Sequence, residues 1–219
     1  MRTLAIIPAR GGSRRLPGKN ILPLGGLPLL AHSIRFAQGC KSIDEVVVST
    51  DSKDIRQVAL QYGARVVDRP AAISGDNEPT VTALQHALEQ TADPVDNVVL
   101  LQPTNPLRPG GMFEQCWQLY QEQQADCVFT VSRSHRKLGR IDNGRFIPWN
   151  YTPGQRSQDL EPLFYENGLL YLCRATTIKS GRIITENSLP LVVDHAFGDV
   201  DIDTKEDFDL AEFLYGKYS

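Results

Sequence analysis

Cysteine is scarce in this chain and scattered. Cys40, Cys116, Cys127 and Cys173 are the four in 219 residues, with no C-x-x-C spacing among them. Neither a zinc site nor a disulfide framework is therefore suggested, and all four read as reduced packing residues. Histidine is as sparse: His32, His86, His135 and His195 have no partner in the sequence that implies nucleophilic catalysis, and they read as structural. No apolar run approaches membrane-spanning length, and Met1-Arg2-Thr3 leads into an apolar stretch without a secretory leader pattern, so a soluble cytoplasmic protein with no membrane partner is expected. A basic surplus is missing too. Lys and Arg number 23 against 26 Asp and Glu, a net charge of −3, which argues against a nucleic-acid binder and for small-molecule substrates. The two familiar phosphate signatures are also absent. There is no G-x-G-x-x-G, and Ser13 and Asn20 stand where a P-loop requires Gly and Ser or Thr.

What is present is a cationic loop. Ala5-Ile6-Ile7 is an apolar run of the kind a buried first strand shows, and it delivers Arg10-Gly11-Gly12-Ser13-Arg14-Arg15-Leu16-Pro17-Gly18-Lys19-Asn20. The glycines allow the backbone to pass close to a ligand, and Arg10, Arg14, Arg15 and Lys19 supply charge that a bound triphosphate would neutralise. A solvated basic loop has the same composition, so the rest of the chain must decide.

Alternation follows. Helical periodicity over Leu29–Ala37, Lys53–Tyr62, Thr80–Thr91 and Met112–Gln124 is interleaved with short apolar runs at Glu45–Thr50, Ala64–Val67, Asn97–Leu101 and Cys127–Ser132. Strands that are apolar throughout and separated by helices predict an α/β fold with a mostly parallel central sheet flanked by helices. Ligands of such sheets sit beyond the carboxyl ends of the strands. That rule gathers Arg10–Asn20, Asp51 and the segment after Leu101 on one rim. There, Pro103 and Pro106 stiffen a loop from which Gln102 and Thr104 can present polar groups, although an ordinary proline turn would look similar.

Two further stretches stand out. Residues 134–165 break the alternation with Gly, Pro and aromatic residues. Asp142-Asn143-Gly144 predicts a hairpin, and Phe146, Trp149, Tyr151, Phe164 and Tyr165 argue against disorder. Near the end, Asp199, Asp201 and Asp203 alternate with apolar residues and would face one way if the backbone is extended throughout. Hard carboxylate oxygens without His or Cys suit Mg²⁺ shared with substrate phosphates, and a solvated acidic turn capping the last helix is the alternative.

Taken together, these motifs resemble the acylneuraminate cytidylyltransferases, the CMP-sialic acid synthetases and their relatives. The resemblance rests on Ala9-Arg10-Gly11-Gly12-Ser13-Arg14-Arg15-Leu16-Pro17-Gly18-Lys19-Asn20, on Arg69-Pro70, and on Leu101-Gln102-Pro103-Thr104-Asn105-Pro106-Leu107-Arg108. It continues in Arg156-Ser157-Gln158-Asp159, in Glu166-Asn167-Gly168 ahead of Tyr171, and in Asp201-Ile202-Asp203-Thr204, spanning Ile6 to Leu210 in order. It implies a Rossmann-like nucleotidyltransferase fold, in one domain over 1–219, that couples CTP to a nine-carbon 2-keto acid sugar. The implied CTP residues are Arg10, Gly11, Gly12, Ser13, Arg14, Lys19, Asn20 and Arg69. Those implied for the acceptor are Gln102, Thr104, Arg156, Tyr165, Asn167 and Tyr171. Asp201 and Asp203 are implied to hold Mg²⁺, with Lys19, Arg10 and Asp203 as the catalytic groups. Segment 134–165 is implied to be a dimerisation extension of a homodimer, reaching the partner's site. Some bacterial sialic acid enzymes carry an Arg where this chain has Tyr165, and that Arg is implied to hold the sugar carboxylate. Arg136, Lys137 and Arg156 are the candidates for that task here. The alternatives are a CMP-Kdo-type or other sugar nucleotidyltransferase, and a non-catalytic nucleotide-binding subunit on the same fold.

Overall fold

The computed structural model describes residues 1–218. In chain order its elements are β1 (Thr3–Pro8), β2 (Pro23–Leu24), β3 (Leu27–Pro28), α1 (Leu29–Gly39), β4 (Glu45–Thr50), α2 (Lys53–Gln61) and β5 (Arg65–Asp68). Then come α3 (Thr80–Glu89), β6 (Asn97–Leu100), α4 (Met112–Gln123), β7 (Cys127–Ser134), β8 (Gly139–Asp142) and β9 (Arg145–Pro148). The last are β10 (Leu163–Arg174), α5 (Ala175–Lys179), β11 (Ser188–Val192) and α6 (Lys205–Tyr218). The expected strands and helices all form, with ends moved by one or two residues.

Seven strands make one sheet in the order β5-β4-β1-β6-β10-β7-β11. Only β10 runs against its neighbours β6 and β7, while the pairs β1/β4, β1/β6, β4/β5 and β7/β11 are parallel. The β1 register, Ile6 opposite Val47 on one side and Leu100 on the other, shows why its sequence is apolar without alternation. Ala5 and Ile7 pack among residues of α1, α2 and α4, whereas Leu4 and Ile6 pack with Leu84 and Ala87 of α3 and Ile178 of α5. A strand covered on both faces has no solvent side on which to place polar residues. A third cluster joins Leu24, Leu29, Leu107, Val200 and Ile202 to Phe208, Ala211 and Leu214 of α6, and this fastens the C-terminal segment over the rim.

The Asn-Gly hairpin forms as a separate two-stranded sheet of β8 and β9, with positive φ at Asn143 and Gly144. It projects apolar side chains into solvent: Ile141 is 77% and Trp149 70% exposed. The strand β10 is interrupted by an irregularity between Glu166 and Tyr171, where Gly168 adopts φ +72°. Four elements had no clear sequence signal. The first two, β2 and β3, are two residues each; β11 is an edge strand that contains Pro190; and α5 is a single short turn.

Candidate active site

At the carboxyl ends of the parallel strands lies a cavity of about 540 Å³, lined by Arg10, Ser13, Arg14, Arg15, Leu16, Lys19 and Asn20 from the first loop. Arg69, Asp76, Glu78, Pro79 and Thr80 line a second wall, and Gln102, Pro103, Thr104, Asp201 and Asp203 a third. Five cationic side chains face four acidic ones in that lining. Four of the cations are already paired, Arg10 and Arg14 with Asp76 and Arg15 and Lys19 with Asp203, so a polyanion must displace those carboxylates.

The first loop is held by local bonds. Gly18, at φ +67°, turns the chain into a single 3-10 turn over Lys19–Ile21. The Asn20 amide donates to Arg10 O at 3.0 Å, pinning the two ends of the loop together. Asn20 is thus buried as a brace with its side chain turned to the backbone. The Gly11 N–H donates to Asp51 Oδ1 at 2.8 Å, and a Cβ at Gly11 would lie 2.9 Å from Ser52 Cβ. Gly11 is required for close approach of the loop to the end of β4, while Gly12 faces open space.

Lys19 is 9% exposed, and its Nζ donates to Asp203 Oδ1 at 2.8 Å. Arg15 pairs with the other oxygen of Asp203. Arg10 and Arg14 converge on Asp76, whose carboxyl is held below its ordinary range, chiefly by the hydrogen bond from Arg10. Asp76 was not identifiable from the sequence, since an aspartate in a Gly-Asp-Asn loop carries no periodic signal; only the fold sets it against the first loop. Arg69 is fixed from behind, donating to Ser49 Oγ at 3.1 Å and Ser49 O at 2.6 Å. Burial lowers its guanidinium pKa below the ordinary value, with Asp51 opposing and Arg10 adding to the effect.

The acidic side is built by the approach to α6. A 3-10 turn over Ala196–Asp199 precedes it, so the segment is extended only from Val200 onward. Asp199 consequently leaves the other two and accepts a hydrogen bond from the Tyr165 hydroxyl at 2.5 Å. Val200 and Ile202 are buried, which turns the alternating Asp201 and Asp203 toward the cavity. Burial pushes the Asp201 carboxyl above its ordinary value, the Thr104 hydroxyl opposes this, and the charge of Asp203 adds to it. Asp207 closes a capping box with Thr204 and accepts from the Asp203 N–H at 3.0 Å. No group of three or more His, Cys, Asp or Glu side chains placed to hold a metal ion occurs among the described residues. Two oxygen-donating carboxylates that raise each other's energy still fit a hard divalent cation, provided substrate phosphates complete its shell.

The remaining residues named from the sequence are distributed differently. Gln102 and Thr104 line the cavity; Arg156, Tyr165, Asn167 and Tyr171 do not. Arg156 lies exposed in the extension, paired with Asp159. Asn167 is buried, its side chain engaged by Thr130 at 2.6 Å and Ser132 at 3.0 Å. The Tyr171 hydroxyl donates to Glu166 at 3.0 Å and its ring stacks on Phe129. Arg108 is half-buried and serves the scaffold. It donates to Leu169 O, Ser33 Oγ and Gln102 O, and burial pulls its pKa down to about 9.

The family described as cytidylyltransferase matches residues 4–146. The chain is 36% identical to the CMP-N,N'-diacetyllegionaminic acid synthase of Legionella pneumophila, covering 98% of this chain and 96% of that one. It is 32% identical to the N-acylneuraminate cytidylyltransferase of Streptococcus agalactiae over 95% of its length, and spans about half (52%) of that longer protein. In fold it is similar to a CMP:2-keto-3-deoxy-manno-octonic acid synthetase solved with CTP, at a TM-score of 0.75 and 17% identity, with both chains covered completely.

Proposed function

This chain belongs to the cytidylyltransferase family, and from that premise we propose that it couples CTP to a nine-carbon 2-keto acid sugar, yielding a CMP-sugar and pyrophosphate. The observation that carries the reading is the meeting of Lys19 and Asp203, 2.8 Å apart and 184 positions distant in sequence, in a cavity with four arginines. Legionaminic and N-acylneuraminic acids, the sugars in the relatives' names, define the acceptor class. The eight-carbon acid has only the fold of a 17% identical structure in its favour.

In this reading the triphosphate takes the place that Asp76 and Asp203 occupy for the cations, and Arg10, Arg14, Arg15 and Lys19 neutralise it. The anomeric hydroxyl of the sugar forms a new bond to the α-phosphorus while the bond from that phosphorus to the α–β bridging oxygen breaks; the hydroxyl proton passes to water and pyrophosphate leaves with the bridging oxygen. Lys19 and Arg10 hold their charges where negative charge develops, a preorganised arrangement that needs no reorientation during the step. Asp201 and Asp203 would hold Mg²⁺, which would supply Lewis-acid stabilisation of the negative charge on the phosphates and of the attacking oxygen. Gln102 and Thr104, from the stiff proline loop, face the acceptor. Gly11, Gly12, Ser13, Asn20 and Arg69 shape the nucleotide side.

The acceptor's carboxylate requires a cation beyond those engaged with phosphate. The exposed extension carries Arg136, Lys137 and Arg156 beside unpaired apolar surface at Ile141, Phe146 and Trp149. A second copy of the chain that covers this surface, bringing the basic arm and Tyr165 to its neighbour's cavity, is the homodimer we propose. Among the described residues no helix is long and apolar enough to cross a membrane, and a cytoplasmic location is part of the proposal.

The test is pyrophosphate release by purified protein with CTP and Mg²⁺ against N-acetylneuraminic, legionaminic, pseudaminic, 2-keto-3-deoxynonulosonic and Kdo acids, with ATP, GTP and UTP as controls. Release with CTP and one nine-carbon acid is expected. Release only with the eight-carbon acid, or silence from a protein that still binds CTP, overturns the proposal.

A further inference from the structure

Asn105 lies behind the cavity and is 1% exposed. Its side-chain amide donates to two backbone carbonyls, Val200 O at 2.8 Å and Asn167 O at 3.0 Å, and its Oδ1 accepts from the Thr104 hydroxyl at 3.1 Å. Both partners of the nitrogen can only accept, so the orientation of the amide is fixed by chemistry. Two residues beyond Val200, the Ile202 N–H donates to Thr104 O at 2.9 Å. The residues on either side of Asp201 are therefore anchored to the dipeptide Thr104-Asn105, one bond before Asp201 and one after it. The anchor is itself held from the far side. Asn167, on the other side of Asn105, is locked to Thr130 and Ser132 of β7. Gly168 packs so closely that a Cβ there would lie 2.7 Å from Asn105 Oδ1 and 2.8 Å from Gln102 Oε1.

We infer that Asn105 is a positioning residue for Asp201, transmitting the rigidity of the β7–β10 pair to the carboxylate that faces the substrate. The inference rests on the reading of Asp201 as a ligand of the divalent cation. Asn105 touches neither substrate nor cation. Its effect is to hold the Asp201 backbone against movement, so that the carboxylate meets the cation without first paying for ordering of its own loop. Groups that orient a metal ligand from behind are typically worth about tenfold or more in metal affinity.

The experiment measures Mn²⁺ binding by loss of the free-ion electron paramagnetic resonance signal, in the presence of CTP, for wild type, Asn105→Ala, Asn105→Ser and Asp201→Ala. CTP affinity in EDTA is measured alongside by calorimetry. Asn105→Ala is expected to weaken Mn²⁺ binding about tenfold while metal-free CTP affinity stays at the wild-type value. Asn105→Ser, which leaves a smaller void and keeps a polar atom, carries the test if the alanine variant does not fold. Wild-type Mn²⁺ affinity in the Asn105 variants, with affinity lost in Asp201→Ala, overturns this inference and leaves the reading of Asp201 intact. Wild-type affinity in Asp201→Ala overturns that reading, and the inference with it. Loss of metal-free CTP binding in the Asn105 variants reduces Asn105 to a scaffold residue and also overturns the inference.

Discussion

Replacing Lys19 with Met removes one ammonium group and keeps an apolar stem of similar length, and the structure assigns the change two costs of different size. The Lys19 side chain is 11% exposed and that of Asp203 is 36% exposed, and Asp203 keeps Arg15 after the substitution. A carboxylate that is one-third solvated and still paired loses little, so the stability cost is about 1 kcal/mol, or roughly 2–4 °C in melting temperature for a chain of this size. The catalytic cost is larger. A preorganised donor aimed at charge that develops in the transition state is worth about 2.7–4 kcal/mol, which is about 10²–10³ in rate. The assay is initial-rate pyrophosphate release at saturating CTP and acceptor, with a thermal melt of the same sample. A folded variant turning over at a rate equal to wild type would refute the phosphate role of Lys19. A melt that collapses below the assay temperature would show that the pair is principally structural.

Asp203→Ala is expected to abolish turnover with little change in melting temperature, because its two cations are then free to face solvent or nucleotide; measurable activity would remove Asp203 from the catalytic set. Gly168→Ala combines a positive φ with contacts under 3 Å and should cost about 1–3 kcal/mol in denaturant unfolding; an unchanged midpoint would show that the strand irregularity can relax. Asp207→Ala removes the acceptor of three hydrogen bonds at the start of α6, a loss of about 1–2 kcal/mol near neutral pH. The Asp207 carboxyl feels burial, which raises its pKa, but the bonds from Asp203 and Thr204 outweigh it and hold the value below normal. Its contribution is thus full above the ordinary carboxylate pKa and fades as pH falls through the lowered one, so melts of wild type and variant should converge in acid; a gap independent of pH would contradict this. Trp149→Glu, at a 70% exposed position of the extension, should convert the proposed dimer to a monomer by sedimentation velocity, whereas a wild type that sediments as a monomer would remove the dimer.

The scaffold was legible because it depends on periodicity. Apolar runs such as Ala5-Ile6-Ile7 and Glu45–Thr50 report burial on both faces, and the Asn-Gly turn reports its own backbone angles. The elements that escaped, β11 and α5, are short, and β11 contains Pro190 at a sheet edge. Their packing, rather than any local preference, decides their form. The roles of individual polar residues were less legible. Asn20 and Asn167 both stand in the motifs, yet the structure turns the side chain of one back to the loop and buries the other against β7. Asp76, which neutralises two arginines, belongs to no motif.

By itself the sequence determined that a parallel α/β sheet carries a cationic first loop, a stiff proline loop and an acidic approach to the last helix, because each is a local pattern of spacing or composition. Tertiary structure alone decided which of those groups meet. The pairing of Lys19 with Asp203, the withdrawal of Asp199 to Tyr165, and the anchoring of Asp201 through Asn105 are contacts between segments far apart in the chain. Such contacts depend on where burial of Val200, Ile202 and the face of α6 sets the C-terminal segment over the sheet, and no local pattern encodes that distance.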